Sequence, residues 1–288
     1  MQYTSLLKNG AIIIAASILT FTACKKSTPA TTTTTTTPAL TTSDDNGGYA
    51  SDASKLEQTS NDAMSTADIA VATNASGLRT TTSYPNITRT HSGTDTTVTI
   101  DFGPTDHMCL DGRNRKGQLI VTYSGRYKDS ASTHTITTSN YFVDDYQVIF
   151  HKTVTNMGTN TSGQVWYNVT VNDSIILAAD SVISWTGSRT RTWFAGYGTT
   201  LRSDDVYLIG GTTVLTRANG HVFTHTISST DPLKVALSCK WVEAGTVTIS
   251  SSTFTGGSRT LDYGYGTGGC DDKAQLTIGT HTYVIPLH

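Results

Sequence analysis

From about Thr96 to the C-terminus, polar and apolar residues alternate with period two, and turn-forming residues break the alternation at short intervals. That pattern admits half-buried strands and little else. About fifteen strand candidates run from Thr97–Phe102 to Tyr283–Leu287, among them Gln147–Thr155, Gln164–Val171, Ser181–Thr186, Arg191–Ala195 and Lys234–Val242. The connections Val171-Asn172-Asp173-Ser174, Arg217-Ala218-Asn219-Gly220 and Ile278-Gly279-Thr280-His281 read as hairpin turns. The predicted fold is therefore all-β, a large antiparallel meander. So many strands rarely stay in one flat sheet, and the expectation is a curled sheet, two packed layers or a partly closed barrel. Composition agrees, since Thr makes up about a fifth of the chain and Glu occurs only at Glu57 and Glu243, and Thr favours strands where Glu favours helices. A formal net charge of −2 supplies no basic field for nucleic acid, so no nucleic-acid partner is expected.

Upstream the pattern changes. Lys8 precedes an uncharged, largely apolar run from Ala11 to Ala23, the order of a secretory signal. It is shorter than the roughly 20 residues that span a bilayer, so residues 1–23 are expected to be cleaved. Phe21-Thr22-Ala23-Cys24 resembles a bacterial lipobox, whose Cys becomes the acylated first residue of the mature protein. Two or three acyl chains on Cys24 would anchor it stably, each buried methylene contributing about 0.8 kcal/mol. Lys25-Lys26 stands where an inner-membrane retention Asp would, and is no acidic surface-export cluster, so the resemblance implies the outer membrane, periplasmic leaflet first and cell surface second. Residues 24–50, with seven consecutive Thr at 31–37, cannot bury enough apolar surface to order themselves and read as a tether. Residues 51–75 contain the one expected helix, with Leu56, Met64, Ile69 and Val71 at loosely helical spacing after Ser51 and Asp52. Its apolar stripe would cover an edge or face of the sheet, or, in a sharper reading, form a lid over a cavity. Residues 76–288 form the β domain.

Two segments repeat. Ile100-Asp101-Phe102-Gly103 … Cys109-Leu110-Asp111 aligns with Leu261-Asp262-Tyr263-Gly264 … Cys270-Asp271-Asp272, each followed by Lys-x-Gln-Leu at Lys116 and Lys273. The unit is strand, Gly-rich loop, strand. Asp101, Asp111, Asp262 and Asp272 are placed to bond loop amides, and Gly103 and Gly264 to supply positive φ.

These residues also carry a resemblance. TVTIDFGPTDHMCLDGRNRKGQLIVTYSGRY, NYFVDDYQVIFHKTVTNMG, LSCKWVEAGTVTIS and the C-terminal TLDYG…CDDKAQLTIGTHTYVIPL resemble a group of uncharacterised Bacteroidota lipoproteins with no assigned reaction. That family has a further Cys shortly before the first unit. Tyr84-Pro85-Asn86-Ile87 here has none. If the missing Cys was the partner of Cys109, the resemblance implies a Cys239–Cys270 bridge and a free Cys109. A Cys109–Cys270 bridge between the equivalent loops is the alternative.

For chemistry, Asp106, His107, Cys109 and Asp111 carry ligand atoms in one loop, yet Gly268 replaces His107 in the second copy, and no metal or other cofactor is expected. His221 and His225 lie about 13 Å apart if on one strand, too far to share an ion, and read as surface or interstrand residues. No G-x-S-x-G, H-E-x-x-H or G-x-x-x-x-G-K-[ST] motif occurs, and adjacent Asp pairs read as turn formers, so no catalytic residue is assigned. Arg113-Asn114-Arg115-Lys116 reads as a solvated hairpin end, with phosphate binding as its rival. Trp166, Tyr167, Trp185, Trp193, Phe194, Tyr197 and Tyr207 read as cross-strand core packing, with a platform for sugar or apolar ligand as the rival. The functional expectation is an anchored, non-catalytic binding or structural module. A periplasmic carrier of lipid or lipoprotein, with an apolar groove under the Leu56–Val71 helix, and a carbohydrate-active or other hydrolase are the alternatives.

Overall fold

A computed structural model describes residues 45–71, 84–178, 181–254, 257–266 and 268–287. The signal segment, Cys24, most of the tether and residues 72–75 of the expected helix lie outside the described residues. One long helix, α1 (Asp45–Val71), precedes the strands β1 (Asn86–Ser92), β2 (Asp95–Asp101), β3 (His107–Met108), β4 (Asn114–Tyr123), β5 (Thr133–Val143), β6 (Tyr146–Ile149), β7 (His151–Thr159) and β8 (Val165–Ala178). Then come β9 (Ser181–Ala195), β10 (Val206–Arg217), β11 (Val222–Ile227), β12 (Leu233–Ala236), β13 (Thr246–Ser250), β14 (Arg259–Asp262), β15 (Lys273–Ile278) and β16 (His281–Pro286).

All sixteen strands belong to one antiparallel sheet in the order β1-β2-β4-β5-β6-β8-β9-β10-β11-β13-β14-β15-β16. The three others complete interrupted strands: β7 continues β6 between β5 and β8, β3 pairs with β4, and β12 pairs with β10. β1 and β16 are the two ends of the ladder, so the sheet curls without closing. The meander expected from the alternation is thus present.

Several local boundaries differ from the expectation; the strand expected over Lys234–Val242, for one, ends at Ala236 and a connection follows. Helix α1 starts at Asp45, inside the segment read as tether, because Tyr49 and Ala50 are buried and that packing outweighs the poor helix propensity of Gly47-Gly48. The hairpin expected at Val171–Ser174 is absent. There β8 runs straight on, its Asp173 drawn inward to pair with Lys152. The two segments Ser181–Thr186 and Arg191–Ala195 form one strand, β9, across Gly187, whose φ of +149° sets its backbone where a Cβ would lie 2.7 Å from the Thr212 carbonyl oxygen.

The two faces of the sheet separate cleanly. Inward positions such as Val98, Val121, Val154, Ile183, Leu215, Ile249 and Leu276 are buried. On the outer face a row of hydroxyl residues crosses every rung. Thr90, Thr97, Thr122, Thr135, Thr153, Thr170, Ser188, Thr212, Thr226, Thr248, Thr260, Thr277 and Thr282 are consecutive register partners from one edge to the other. None is buried, and some neighbours join directly, as Thr97 and Thr122 do at 3.1 Å. Much of the Thr excess therefore sits where a β-branched side chain fits the pleat and a hydroxyl meets water.

Helix α1 occupies the inner face. From Gly48 to Val71 none of its residues is exposed, although Asp52, Glu57, Gln58, Ser60 and Asp68 are polar or charged. It is a buried spine with polar groups on several sides, so the reading of one apolar stripe laid on an edge or face gives way to burial all round.

Candidate functional site

From Gly48 onward the acids of α1 lie at positions 52, 57, 62 and 68. At about 100° per residue Asp52, Glu57 and Asp62 point to three different sides of the helix, and Asp68 returns to the side of Glu57. A sheet wrapped round such a helix has to offer a cation at each. The Arg217 Nε of β10 donates to Asp52 at 2.6 Å, and its guanidinium lies 4.0 Å from the Tyr49 ring centre. In β9, Arg189 donates to Glu57 at 2.5 Å, while Arg191 donates to Asp68 at 2.7 Å and to the Tyr127 hydroxyl at 2.6 Å. In β4, Arg115 pairs with both Asp62 and Asp111, and Arg113, just ahead of the strand, reaches Asp62 at 3.4 Å. Lys152 of β7 donates to the Ser60 hydroxyl at 3.0 Å and pairs with Asp173.

Burial and neighbouring charge set the protonation of this seat. Burial raises the Glu57 carboxyl, but the Arg189 charge and hydrogen bonds from Arg189 and Asn61 outweigh it and hold Glu57 below its ordinary value. Burial, reinforced by Arg189, lowers His225 to about 3. Its Nδ1 sits 3.1 Å from Arg189 Nη2, and a guanidinium only donates, so Nδ1 accepts and the neutral ring carries its proton on Nε2. Burial also lowers Lys152 and raises Asp173, each against the attraction of the other.

Beside the Asp62 end of this seat the two repeat loops meet. Asp101 Oδ1 accepts from Gly103 N–H at 2.8 Å, and Asp262 Oδ1 accepts from Gly264 N–H at 2.8 Å, so the first half of each unit shares this hydrogen bond. The second halves diverge. Asp111 accepts from Arg113 N–H at 3.2 Å and from Arg115 Nη1 at 2.9 Å. In the other copy it is Asp271, not the expected Asp272, that accepts from Lys273 N–H, at 2.9 Å, and the Asp272 carbonyl takes the Leu287 N–H. Asp262 precedes Lys273 by eleven positions where Asp101 precedes Lys116 by fifteen, so the shorter loop brings a different Asp two residues ahead of the strand. Gly103 adopts φ +80°, whereas Gly264 needs no positive φ.

Cys239 and Cys270 are disulfide-bonded, with their Cα atoms 5.6 Å apart. Cys109 is a buried free thiol, raised above its ordinary value by burial despite Arg115. All three line one cavity of about 350 Å³ between the repeat loops, the Leu237–Val242 connection and helix α1. Gln58, Asn61, Asp62, Ser65 and Thr66 form its polar wall, and Ile69, Leu237 and Trp241 its apolar one. Val242 N–H donates to Gln58 Oε1 at 3.3 Å, which orients the amide. Gln58 Nε2, Asp62 Oδ2 and Arg115 Nε are buried without a hydrogen-bond partner among the described residues.

Other candidate groups are dispersed. Asp106 pairs with Lys116 and Asp111 with Arg115, while His107 stacks on Tyr84. Among the described residues no three His, Cys, Asp or Glu side chains are placed to hold a metal ion. Arg113 and Arg115 are buried, which corrects the reading of their turn as a solvated hairpin end: Asp62, Asp111 and Asp144 draw them in. His225 is likewise buried in the helix seat, not at the surface, whereas His221 bonds the Tyr49 hydroxyl. The aromatic group divides, with Tyr167, Trp185, Trp193 and Tyr207 buried and Phe194 and Tyr197 exposed. The helix seat has no local motif in the sequence. Its signal was charge at inward parity, as in Trp185, Arg189, Arg191 and Trp193, all on one side of β9.

No family model, curated protein or solved structure matches this chain.

Proposed function

We propose that this chain is an outer-membrane lipoprotein, acylated at Cys24 and held off the bilayer by its Thr-rich tether, whose folded part is a non-catalytic binding module. The recess between the two repeat loops is its ligand site. One observation carries the reading: two copies of the same loop unit converge on a cavity whose floor keeps Gln58 Nε2 and Asp62 Oδ2 buried and unpaired. Buried polar groups are costly unless something satisfies them. A binding role is favoured because the recess chemistry is locked. Burial raises Asp111, but hydrogen bonds and charge from Arg115 and the Arg113 amide and charge bring its carboxyl below the ordinary value, and burial keeps the Cys109 thiol protonated. Neither is tuned as an acid, base or nucleophile near neutrality. A carrier would need an open apolar groove on the inner face, the place where α1 makes its ion pairs.

Two measurements test this. Replacing Cys24 by Ser should abolish labelling with a fatty-acid analogue and release the protein from the membrane fraction, and normal labelling would overturn the anchor. Ser65→Trp, a bulky change at the half-buried rim of the recess, should remove small-molecule binding, detected by calorimetry with a chemically mixed panel, while leaving the melting temperature near that of the unaltered chain. Binding that survives it would place the ligand site elsewhere.

A further inference from the structure

The unpaired atoms of the recess define what can sit in it. Gln58 Nε2 and Arg115 Nε only donate, and Asp62 Oδ2 only accepts. A phosphate or carboxylate would satisfy the two donors and be repelled by Asp62. An ammonium would satisfy Asp62 and be repelled by Arg115. A hydroxyl both donates and accepts, and several on one ring satisfy all three at once. The fixed charges lead to the same ligand, because the charged residues of the lining, Arg115 and Lys240 against Asp62 and Asp111, balance one another, which leaves no surplus to hold an ion. Beside these polar groups, Ile69, Leu237 and Trp241 offer apolar surface suited to the C–H face of a sugar ring. The volume of about 350 Å³ lies at the small end of ligand pockets.

We infer that the recess binds a neutral, polyhydroxylated ligand of one or two sugar rings, its hydroxyls bonded to Gln58, Asp62 and Arg115. This inference rests on the recess being the ligand site, and its test separates the two statements. The full chain is titrated calorimetrically with neutral sugars (glucose, galactose, N-acetylglucosamine, maltose, trehalose), with glucose 6-phosphate and galacturonate as anions, and with glucosamine as the cation. At least one neutral sugar should bind with a Kd below about 1 mM. Gln58→Leu should weaken it about tenfold, and Ser65→Trp should abolish it. Melting curves for both variants verify folding, and Ser65→Trp serves where Gln58→Leu destabilises. If an anion or glucosamine binds more tightly and Ser65→Trp removes it, the ligand class is wrong and the ligand site stands. Sugar binding that neither variant changes would overturn the site, and no binding by any member of the panel would overturn both.

Discussion

Acidification should strike the helix seat through His225. The imidazole is buried against Arg189 at 3.1 Å, with Glu57 Oε2 at 3.9 Å and the Trp185 ring beside it, and its pKa falls from 6.5 to about 3. Between those values the unfolded chain takes up a proton that the folded chain refuses. Stability contributed by this residue is therefore complete above pH 6.5 and is lost as pH falls below it. At pH 4.5 the loss is roughly 3 kcal/mol, from two pH steps at about 1.36 kcal/mol each. Other groups titrate in the same experiment. Glu57 is lowered, so its contribution is lost only as pH falls from about 4.5 through its folded value. Asp52, Asp173 and Asp205 are raised by burial and work in the opposite sense, while His134 is lowered by burial and adds to the loss. A single substitution separates His225 from these. His225→Asn keeps an acceptor for Arg189 but cannot be protonated, so urea unfolding at pH 7, 5.5 and 4.5 should show the stability gap between the unaltered chain and the variant narrowing by roughly 3 kcal/mol. A gap that stays constant with pH would refute the buried neutral imidazole.

Further outcomes follow from the same contacts. Arg191→Leu strands buried Asp68, and should cost about 3–5 kcal/mol in urea unfolding, more than the same change at exposed Arg126. Cys270→Ser should cost about 2–5 kcal/mol and, in the denatured, unreduced mature protein whose acylated Cys24 has no thiol, raise the number of labelled thiols from one to two, while Cys109→Ser should lower it to none. A new reactive thiol in Cys109→Ser would instead put Cys109 in the bridge. Gly187→Ala, at φ +149° against the Thr212 carbonyl, should lower the melting temperature more than Gly220→Ala, which sits at positive φ in a turn with open space around it.

The meander was legible because its signal is local: Val98, Ile100 and Phe102 alternate with Thr97, Thr99 and Asp101, and each hairpin joins neighbours in sequence. The hydrogen bond from the Gly amide to the Asp side chain, shared by Asp101–Gly103 and Asp262–Gly264, was legible for the same reason. The helix seat was not, because its partners are distant: Glu57 meets Arg189, 132 positions away, and Asp68 meets Arg191, 123 away. Alternation places Arg189 on the inner face but says nothing of what waits there. The recess joins α1, the Cys109 loop and the Leu237–Val242 connection, which only the curl of the sheet brings together. Asp271 takes the place expected of Asp272 because the two loops differ in length, which the shared motif residues conceal.

A helix with so few large apolar side chains gains little from burial alone, so something else has to fix where it sits. An apolar stripe would tolerate sliding or rotation, since one aliphatic contact replaces another at small cost. Paired charges do not. Moving α1 by one residue turns every acid by about 100° and parts Asp52, Glu57, Asp62 and Asp68 from Arg217, Arg189, Arg115 and Arg191 together, leaving ions unpaired in the interior. The ion pairs thus act on register more than on net stability. That has a consequence for the recess. Asp62 is at once the anchor that sets the helix against β4 and the acceptor in the recess wall, so the geometry that positions the spine also holds Gln58, one turn earlier on the same side, at the cavity before any ligand arrives. A ligand entering there would meet preset partners and incur little of the ordering cost that weakens flexible sites.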